Sequence, residues 1–181
     1  MKIIFLDIDG PLNVAMQEHD DYGALFHPNF VLNLQRIIDE TGALIVISSS
    51  WRKSSLKIMQ EIWKIRNLPG KVIDTTPSLY VFKGTNCIQF WNNKLEAKKT
   101  PRIKGYSVPR GCEIDYWIEN ESEAFGKIEQ YVILDDDTDF LLKQQHNFVN
   151  CANNHEHTDS IEGYGITEIN AIKAIRILNN K

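Results

Sequence analysis

Cysteine is scarce in this chain of 181 residues: its three, Cys87, Cys112 and Cys151, are odd in number and far apart in sequence. That excludes a disulfide framework and any paired zinc-ligand spacing, and reduced thiols are expected. No apolar run approaches the roughly 18 residues a membrane-spanning helix requires, and the opening strand lacks the charged flank and cleavage pattern of a signal peptide. No membrane association and a cytoplasmic location are therefore expected. An excess of positive charge is missing as well. The formal net charge is -4, so the chain has no general electrostatic attraction to nucleic acid or anionic lipid, and any phosphate binding must be local. Repeats and interdomain linkers are also absent, and with 43% hydrophobic residues there is ample material for one core. One domain over residues 1–181 is expected, with a small insertion at about 78–109.

What is present is concentrated first at the amino-terminal end. Ile3-Ile4-Phe5-Leu6 is a continuous β-branched and aromatic run, suited to a strand buried on both faces. It stops in Asp7-Ile8-Asp9-Gly10-Pro11. In an extended chain the side chains of Asp7 and Asp9 leave the same face, and Gly10-Pro11 breaks the strand just beyond them. Close carboxylates repel unless a cation, a shared proton or solvent relieves them, so the pair points to a divalent metal or to paired acid and base work.

The same design recurs along the chain. Asn13 to Pro28 is polar and reads as a loop or flap over the site. Val31, Leu34, Ile37 and Ile38 have helical spacing, with Gly42 as a stop signal. Ala43 to Ile47 is a second buried strand, and it ends in Ser48-Ser49-Ser50-Trp51-Arg52. Ser54 or Ser55 is predicted to cap a helix carrying Leu56, Met59, Ile62 and Trp63, and Lys71 to Asp74 forms a short third strand. Leu79-Tyr80-Val81-Phe82 and Cys87-Ile88-Gln89-Phe90-Trp91 are predicted strands of a small inserted hairpin. Lys94, Lys98, Lys99 and Arg102 nearby read as a solvated face. Glu113, Ile114, Trp117 and Ile118 mark another helix. Tyr131 to Leu134 is a fourth strand ending in Asp135-Asp136-Asp137, and Asn147 to Cys151 is a fifth. Thr167 caps a last helix whose Ile169, Ile172, Ile175 and Leu178 form a core-facing stripe. Asp139 reads as part of a helix start.

Strands separated by helices predict an α/β fold: a Rossmann-like parallel sheet of about five core strands, with helices on both faces and right-handed crossovers. In such a sheet the carboxyl ends of the strands share one edge, where ligands bind. Asp7 and Asp9, Ser48, and Asp135 and Asp136 all end strands, so the layout predicts that they assemble there.

These residues resemble the haloacid dehalogenase (HAD) superfamily of phosphohydrolases. Asp7-Ile8-Asp9-Gly10 is similar to its first motif, Ser48 after Ile45-Val46-Ile47 to its second, and Leu134-Asp135-Asp136 to its fourth. Arg110, Lys104 or Lys83 supplies the cation of the third, with Arg110 favoured because it directly precedes a helix start. More narrowly, Ser49-Ser50-Trp51-Arg52, the stretch Arg110 to Trp117, and Leu134 to Asp137 resemble HAD domains of RNA-repair proteins.

The resemblance implies a Mg²⁺-dependent phosphomonoesterase. Asp7 would attack phosphorus to form an aspartyl-phosphate, and Asp9 would serve as acid and then base. Mg²⁺ would be held by Asp7, the Asp9 backbone carbonyl, and Asp135 or Asp136. Ser48 and Arg110 complete the implied catalytic set. Gly10, Ser49, Arg52 and Lys104 complete the substrate-binding set, and the substrate is a phosphorylated small molecule or nucleic-acid end. Pro11 departs from the family pattern, since it has no N–H to offer a phosphate. The loop after Asp9 is too short for a large cap domain, which predicts a site open to bulky substrates.

Other readings attach to particular residues. A noncatalytic phosphate-binding module would keep the fold but has no need of both Asp7 and Asp9. A dehalogenase would not need Asp9 as leaving-group acid. A receiver domain would use Asp74 at the third strand end, leaving Ser48 and the Asp135-Asp136 pair unexplained. His155-Glu156-His157 lacks metal-site spacing and reads as surface loop. Trp51 and Arg52 either meet a base or phosphate beside the site, or Trp51 packs under the following helix.

Overall fold

The computed structural model describes residues 1–13, 18–82, 105–152 and 165–180. Its centre is a five-stranded parallel sheet of β1 (Lys2–Leu6), β4 (Leu44–Ile47), β5 (Val72–Thr75), β8 (Gln130–Asp135) and β9 (Phe148–Asn150), in the order β5-β4-β1-β8-β9. Two small antiparallel pairs flank it: β2 (His19–Asp20) with β3 (Gly23–Ala24), and β6 (Tyr80–Phe82) with β7 (Gly105–Ser107). The helices are α1 (Pro28–Thr41), α2 (Leu56–Ile65), α3 (Arg110–Asn120) and α4 (Glu168–Leu178).

The alternation of side chains along β1 assigns the layers. Ile4 and Leu6 are fully buried in the larger core, which takes Leu34 and Ile37 of α1, Met59 and Ile62 of α2, and Ala171, Ala174 and Leu178 of α4. Ile3 and Phe5 point the opposite way, into a second cluster with Ile114 and Trp117 of α3. Phe5 meets Trp117 edge-to-face at 5.5 Å between ring centroids. Both faces of β1 are thus dry, which is why its sequence runs apolar without alternation. Burial of its four apolar side chains, Ile3 to Leu6, contributes about 1.5–3 kcal/mol each, making β1 the strand the fold can least spare.

Local chemistry sets the helix ends. The His27 side chain accepts from the Asn29 N–H, Pro28 occupies the first turn of α1, and Gly42 closes the helix at φ 66°, a left-handed conformation that glycine adopts without penalty. Ser55, rather than Ser54, caps α2 by accepting from the Ile58 N–H, and Thr167 caps α4.

One sequence expectation falls partly outside the described residues and another requires correction. The strand at Tyr80–Phe82 forms, but it pairs with Gly105–Ser107; the expected partner, Cys87 to Trp91, lies outside the described residues, as do the basic segment and His155-Glu156-His157. In α4, Ile169 is 65% exposed and the core face is built from Ala171, Ala174, Ile175 and Leu178. Close packing of α4 against α1 and β8 favours small alanines at the contact, and it rotates the helix away from the all-isoleucine stripe. Among the described residues, no helix is long and apolar enough to cross a membrane.

Candidate active site

Parallel register converts three separate strand ends into one site. Leu6 pairs with Ile47 on one side and Leu134 on the other, so the next residues, Asp7, Ser48 and Asp135, stand in a row at the carboxyl edge. The row is closed by backbone hydrogen bonds from Asp7 N to the Leu134 carbonyl (3.0 Å) and from Ser48 N to the Leu6 carbonyl (2.8 Å). Asp7, Ser48 and Asp135 are buried, whereas Asp9 and Asp136 are exposed: the site has a dry floor and a wet mouth.

Asp7, Asp135 and Asp136 bring one carboxylate oxygen each within 4.8 Å of one another. Such crowding is costly without a counter-charge. Burial, reinforced by the neighbouring Asp7, pushes the Asp135 carboxyl up to about 8. Asp7 and Asp136 are also raised, in each case chiefly by burial. Relief comes from Arg110, the first residue of α3. Its Nη1 lies 3.2 Å from Asp7 Oδ2, its Nε 3.6 Å from Asp135 Oδ2, and Nη1 also donates to the Ser48 carbonyl. Burial opposes the charge on Arg110, but Asp7, Asp135, Glu113 and Asp139 outweigh it and hold its pKa above the ordinary value.

Arg110 is itself fixed through the helix start. Its backbone N–H donates to Asp139 Oδ2 at 2.7 Å, and the next residue, Gly111, donates to the Asp139 carbonyl. Asp139 therefore acts at a helix start, as expected, and the helix is α3. Gly111 permits this approach: a Cβ there would lie 2.6 Å from Gln144 Oε1 and 2.7 Å from the Leu141 nitrogen.

Among the described residues four buried side-chain oxygens lack a hydrogen-bond partner, and two of them, Ser48 Oγ and Asp135 Oδ2, lie in the site. A buried hydroxyl costs about 1–3 kcal/mol when it has no partner, which makes Ser48 Oγ a position where a ligand oxygen would restore a bond. The three carboxylates are hard oxygen donors around a site with excess negative charge, a set that suits Mg²⁺. Arg110 spans two of the acids such an ion would engage.

The family-model comparison bears on this arrangement. Residues 3–159 match the model of the HAD domain in Swiss Army Knife RNA repair proteins. The chain belongs to this HAD family. Comparison with curated proteins and with solved structures found no match. The HAD match covers every residue of the row, and membership supports a phosphohydrolase-type function. HAD domains generally use Mg²⁺, and the acidic cluster is compatible with it.

Not every HAD-motif residue behaves as its sequence position suggests. The Asp9 carboxylate is not left free at the mouth: it accepts from Trp51 Nε1 at 2.9 and 3.0 Å and from Asn13 Nδ2 at 2.9 Å. Arg52 does not present a free guanidinium: Nε donates to Ser78 Oγ, Nη1 to the Ser49 carbonyl and Nη2 to buried Glu113. Trp51 packs against the core cluster that includes Met59, Ile62 and Trp63 of α2, and its ring meets Phe26 at 5.7 Å. Ser49 is fully buried beside Asp7, where its hydroxyl favours the charged carboxylate. Gly10 has φ 90° and lies against Asp136. Lys104 lies outside the described residues. Asp74, the receiver-type alternative, is buried and accepts from Trp117 Nε1 at 2.8 Å.

Sequence reasoning missed two residues that organise the site. Asn13 is buried and links the Gly10 N–H to Asp9, and the only sequence signal is its four-residue offset from Asp9. Glu113 is buried on α3, accepts from the Leu79 N–H at 3.0 Å and pairs with Arg52. A glutamate in the first turn of a helix reads as a dipole contact, so nothing marks it as a buried partner.

Proposed function

We propose that this protein is a Mg²⁺-dependent phosphomonoesterase that removes a terminal phosphate from a nucleotide or polynucleotide end. The supporting observation is the meeting of Asp7, Asp135 and Asp136 with the unpartnered Ser48 hydroxyl and the Arg110 guanidinium at one sheet edge. The RNA-repair family favours a nucleic-acid end as substrate. The exposed Asp9 and Asp136 at the mouth suit a bulky one. Residues 1–181 are read as one HAD-like unit, with the segment at about 78–109 as an insertion.

Asp7, Asp135 and Asp136 would hold the ion through their carboxylates, and Asp9 through its backbone carbonyl. When bound, Mg²⁺ supplies positive charge to the substrate phosphate and relieves the crowded acids. A carboxylate oxygen of Asp7 forms a bond to phosphorus as the bond to the ester oxygen breaks, leaving the phosphoryl group on Asp7. The Asp9 carboxyl gives its proton to the departing oxygen. A water then attacks phosphorus and returns a proton to Asp9, releasing phosphate and restoring Asp7. Ser48 donates to a phosphoryl oxygen and Arg110 neutralises charge that develops there. Gly10 lies at the phosphate approach beside Asp136, Ser49 acts through its hydroxyl on Asp7, Arg52 contributes through its hold on the Ser49 carbonyl, and Lys104 is kept as a candidate substrate-binding cation.

The test is phosphate release, with Mg²⁺ or with excess chelator, from a panel of sugar phosphates, nucleotides and 3′- or 5′-phosphorylated RNA and DNA. Release from oligonucleotide ends that disappears in chelator and in Asp7→Asn is expected. Activity unchanged by either treatment rejects the mechanism, and tight binding without turnover identifies a noncatalytic phosphate-binding module instead.

A further inference from the structure

Asp9 is exposed, yet its carboxylate is gripped from two directions. The indole N–H of Trp51 lies 2.9 Å from Oδ1 and 3.0 Å from Oδ2, while Asn13 Nδ2 donates to Oδ1 at 2.9 Å. The Ser50 hydroxyl stands at 3.5 Å from Oδ2, the outer limit of a hydrogen bond. Trp51 reaches Asp9 from the turn after β4, so a residue of the second strand end fixes one of the first.

The indole is seated in turn. A Cβ on Gly23 would lie 3.1 Å from Trp51 Cη2, so the β2-β3 turn packs directly on the ring. Phe26 meets the ring at 5.7 Å between centroids, and the Arg66 guanidinium lies 4.6 Å over Phe26 and 5.9 Å from the Trp51 ring. Arg66 is pinned by Asp20 and by the Gly23 and Ala24 carbonyls. Hairpin, arginine and aromatic pair thus form one block whose polar tip is the Trp51 N–H. An indole recruited only for packing at a half-buried position could leave that N–H to water. Here it spans both oxygens of a carboxylate and so sets its rotamer.

We propose that Trp51 is a positioning residue that orients the Asp9 carboxyl toward the ester oxygen. The proposal rests on the reaction given above, in which Asp9 passes a proton to the leaving oxygen as the phosphorus–oxygen bond breaks and recovers one from the attacking water. Trp51 touches neither substrate nor metal; its effect passes through Asp9.

The test compares kcat/KM for two esters, 4-nitrophenyl phosphate, whose leaving group departs without a proton, and a phosphorylated oligonucleotide, whose alkoxide needs one. Trp51→Phe keeps an aromatic ring and removes the N–H. It is expected to lower kcat/KM roughly tenfold to hundredfold on the oligonucleotide, out of the ~10²–10⁴ that general acid catalysis contributes, and less than about threefold on the nitrophenyl ester. Combined with Asp9→Asn it should add no further loss, because both changes remove one function. An equal loss on both esters, or additive losses in the double variant, overturns the proposal. The Trp51 indole ¹⁵N–¹H resonance should differ between the wild-type and Asp9→Ala proteins; an unmoved resonance also overturns the proposal. Wild-type protein inactive on both esters overturns the reaction and the positioning role together, whereas activity with a uniform Trp51→Phe loss overturns the positioning role alone.

Discussion

Gly10 and Asp136 share a space that has no room for one more carbon: a Cβ on Gly10 would lie 2.3 Å from the Asp136 carboxyl carbon. Gly10 also has φ 90°, a conformation that L side chains rarely adopt. Gly10→Ala is therefore expected to cost about 1–3 kcal/mol in backbone strain and to displace Asp136 from the acidic cluster. Urea unfolding measures the first effect and calorimetric Mg²⁺ titration the second. Unchanged Mg²⁺ affinity would show that Asp136 does not need its present place.

Asp135 links the site to stability. Its carboxyl is raised to about 8, first by burial and then by Asp7, so the folded protein holds that proton to higher pH than the unfolded chain does. Stability from this group is therefore present at low pH and is lost as pH rises from the ordinary carboxylate range near 3.8 toward about 8. Thermal melts in chelator should fall across that interval, and Mg²⁺ should reduce the fall. Asp135→Asn should flatten the metal-free slope and abolish the Mg²⁺ effect. A slope that survives in Asp135→Asn assigns it to other groups.

The Arg52–Glu113 pair is mostly buried, and burial works against the charge on both partners, lowering Arg52 and raising Glu113. Glu113→Ala leaves Arg52 without its counter-charge and strips the Leu79 N–H of its acceptor. The expected cost is about 3–5 kcal/mol by chemical denaturation, whereas replacing both partners with apolar residues should cost much less. Equal costs for the single and double variants would mean that packing, rather than charge, sets the loss.

Arg110 places its positive charge beside two acids, 3.2 Å from Asp7 Oδ2 and 3.6 Å from Asp135 Oδ2. Arg110→Ala should thus lower phosphate release while leaving α3 folded, since the Asp139 contact is to the Arg110 backbone N–H. Parallel measurement of kcat and of far-ultraviolet circular dichroism separates the two effects. Lost helicity at unchanged kcat would reverse the assignment.

Periodicity and strand-end chemistry made much of the protein legible. The parallel five-stranded sheet, its helices, and the row of Asp7, Ser48 and Asp135 follow from apolar runs that stop in polar residues, because one parallel sheet sends every such stop to one edge. Ile169 shows where that reading ends. Helical spacing identifies an apolar stripe, but which part of it is buried depends on how closely α4 lies against its neighbours.

The candidate site divides along the same line. Motif spacing alone determined which residues reach the carboxyl edge, Asp7, Asp9, Ser48, Asp135 and Asp136, because their positions are counted from strands the local sequence defines. Only the tertiary structure decided what their side chains meet there. Trp51 turned out to hold Asp9, Glu113 to hold Arg52, and Arg110 to lie between Asp7 and Asp135. Each of these contacts joins residues that are distant in the chain, and none leaves a local pattern. The physical reason is that secondary structure follows short-range periodicity, while a side chain's partner is chosen by packing and charge balance in the assembled fold.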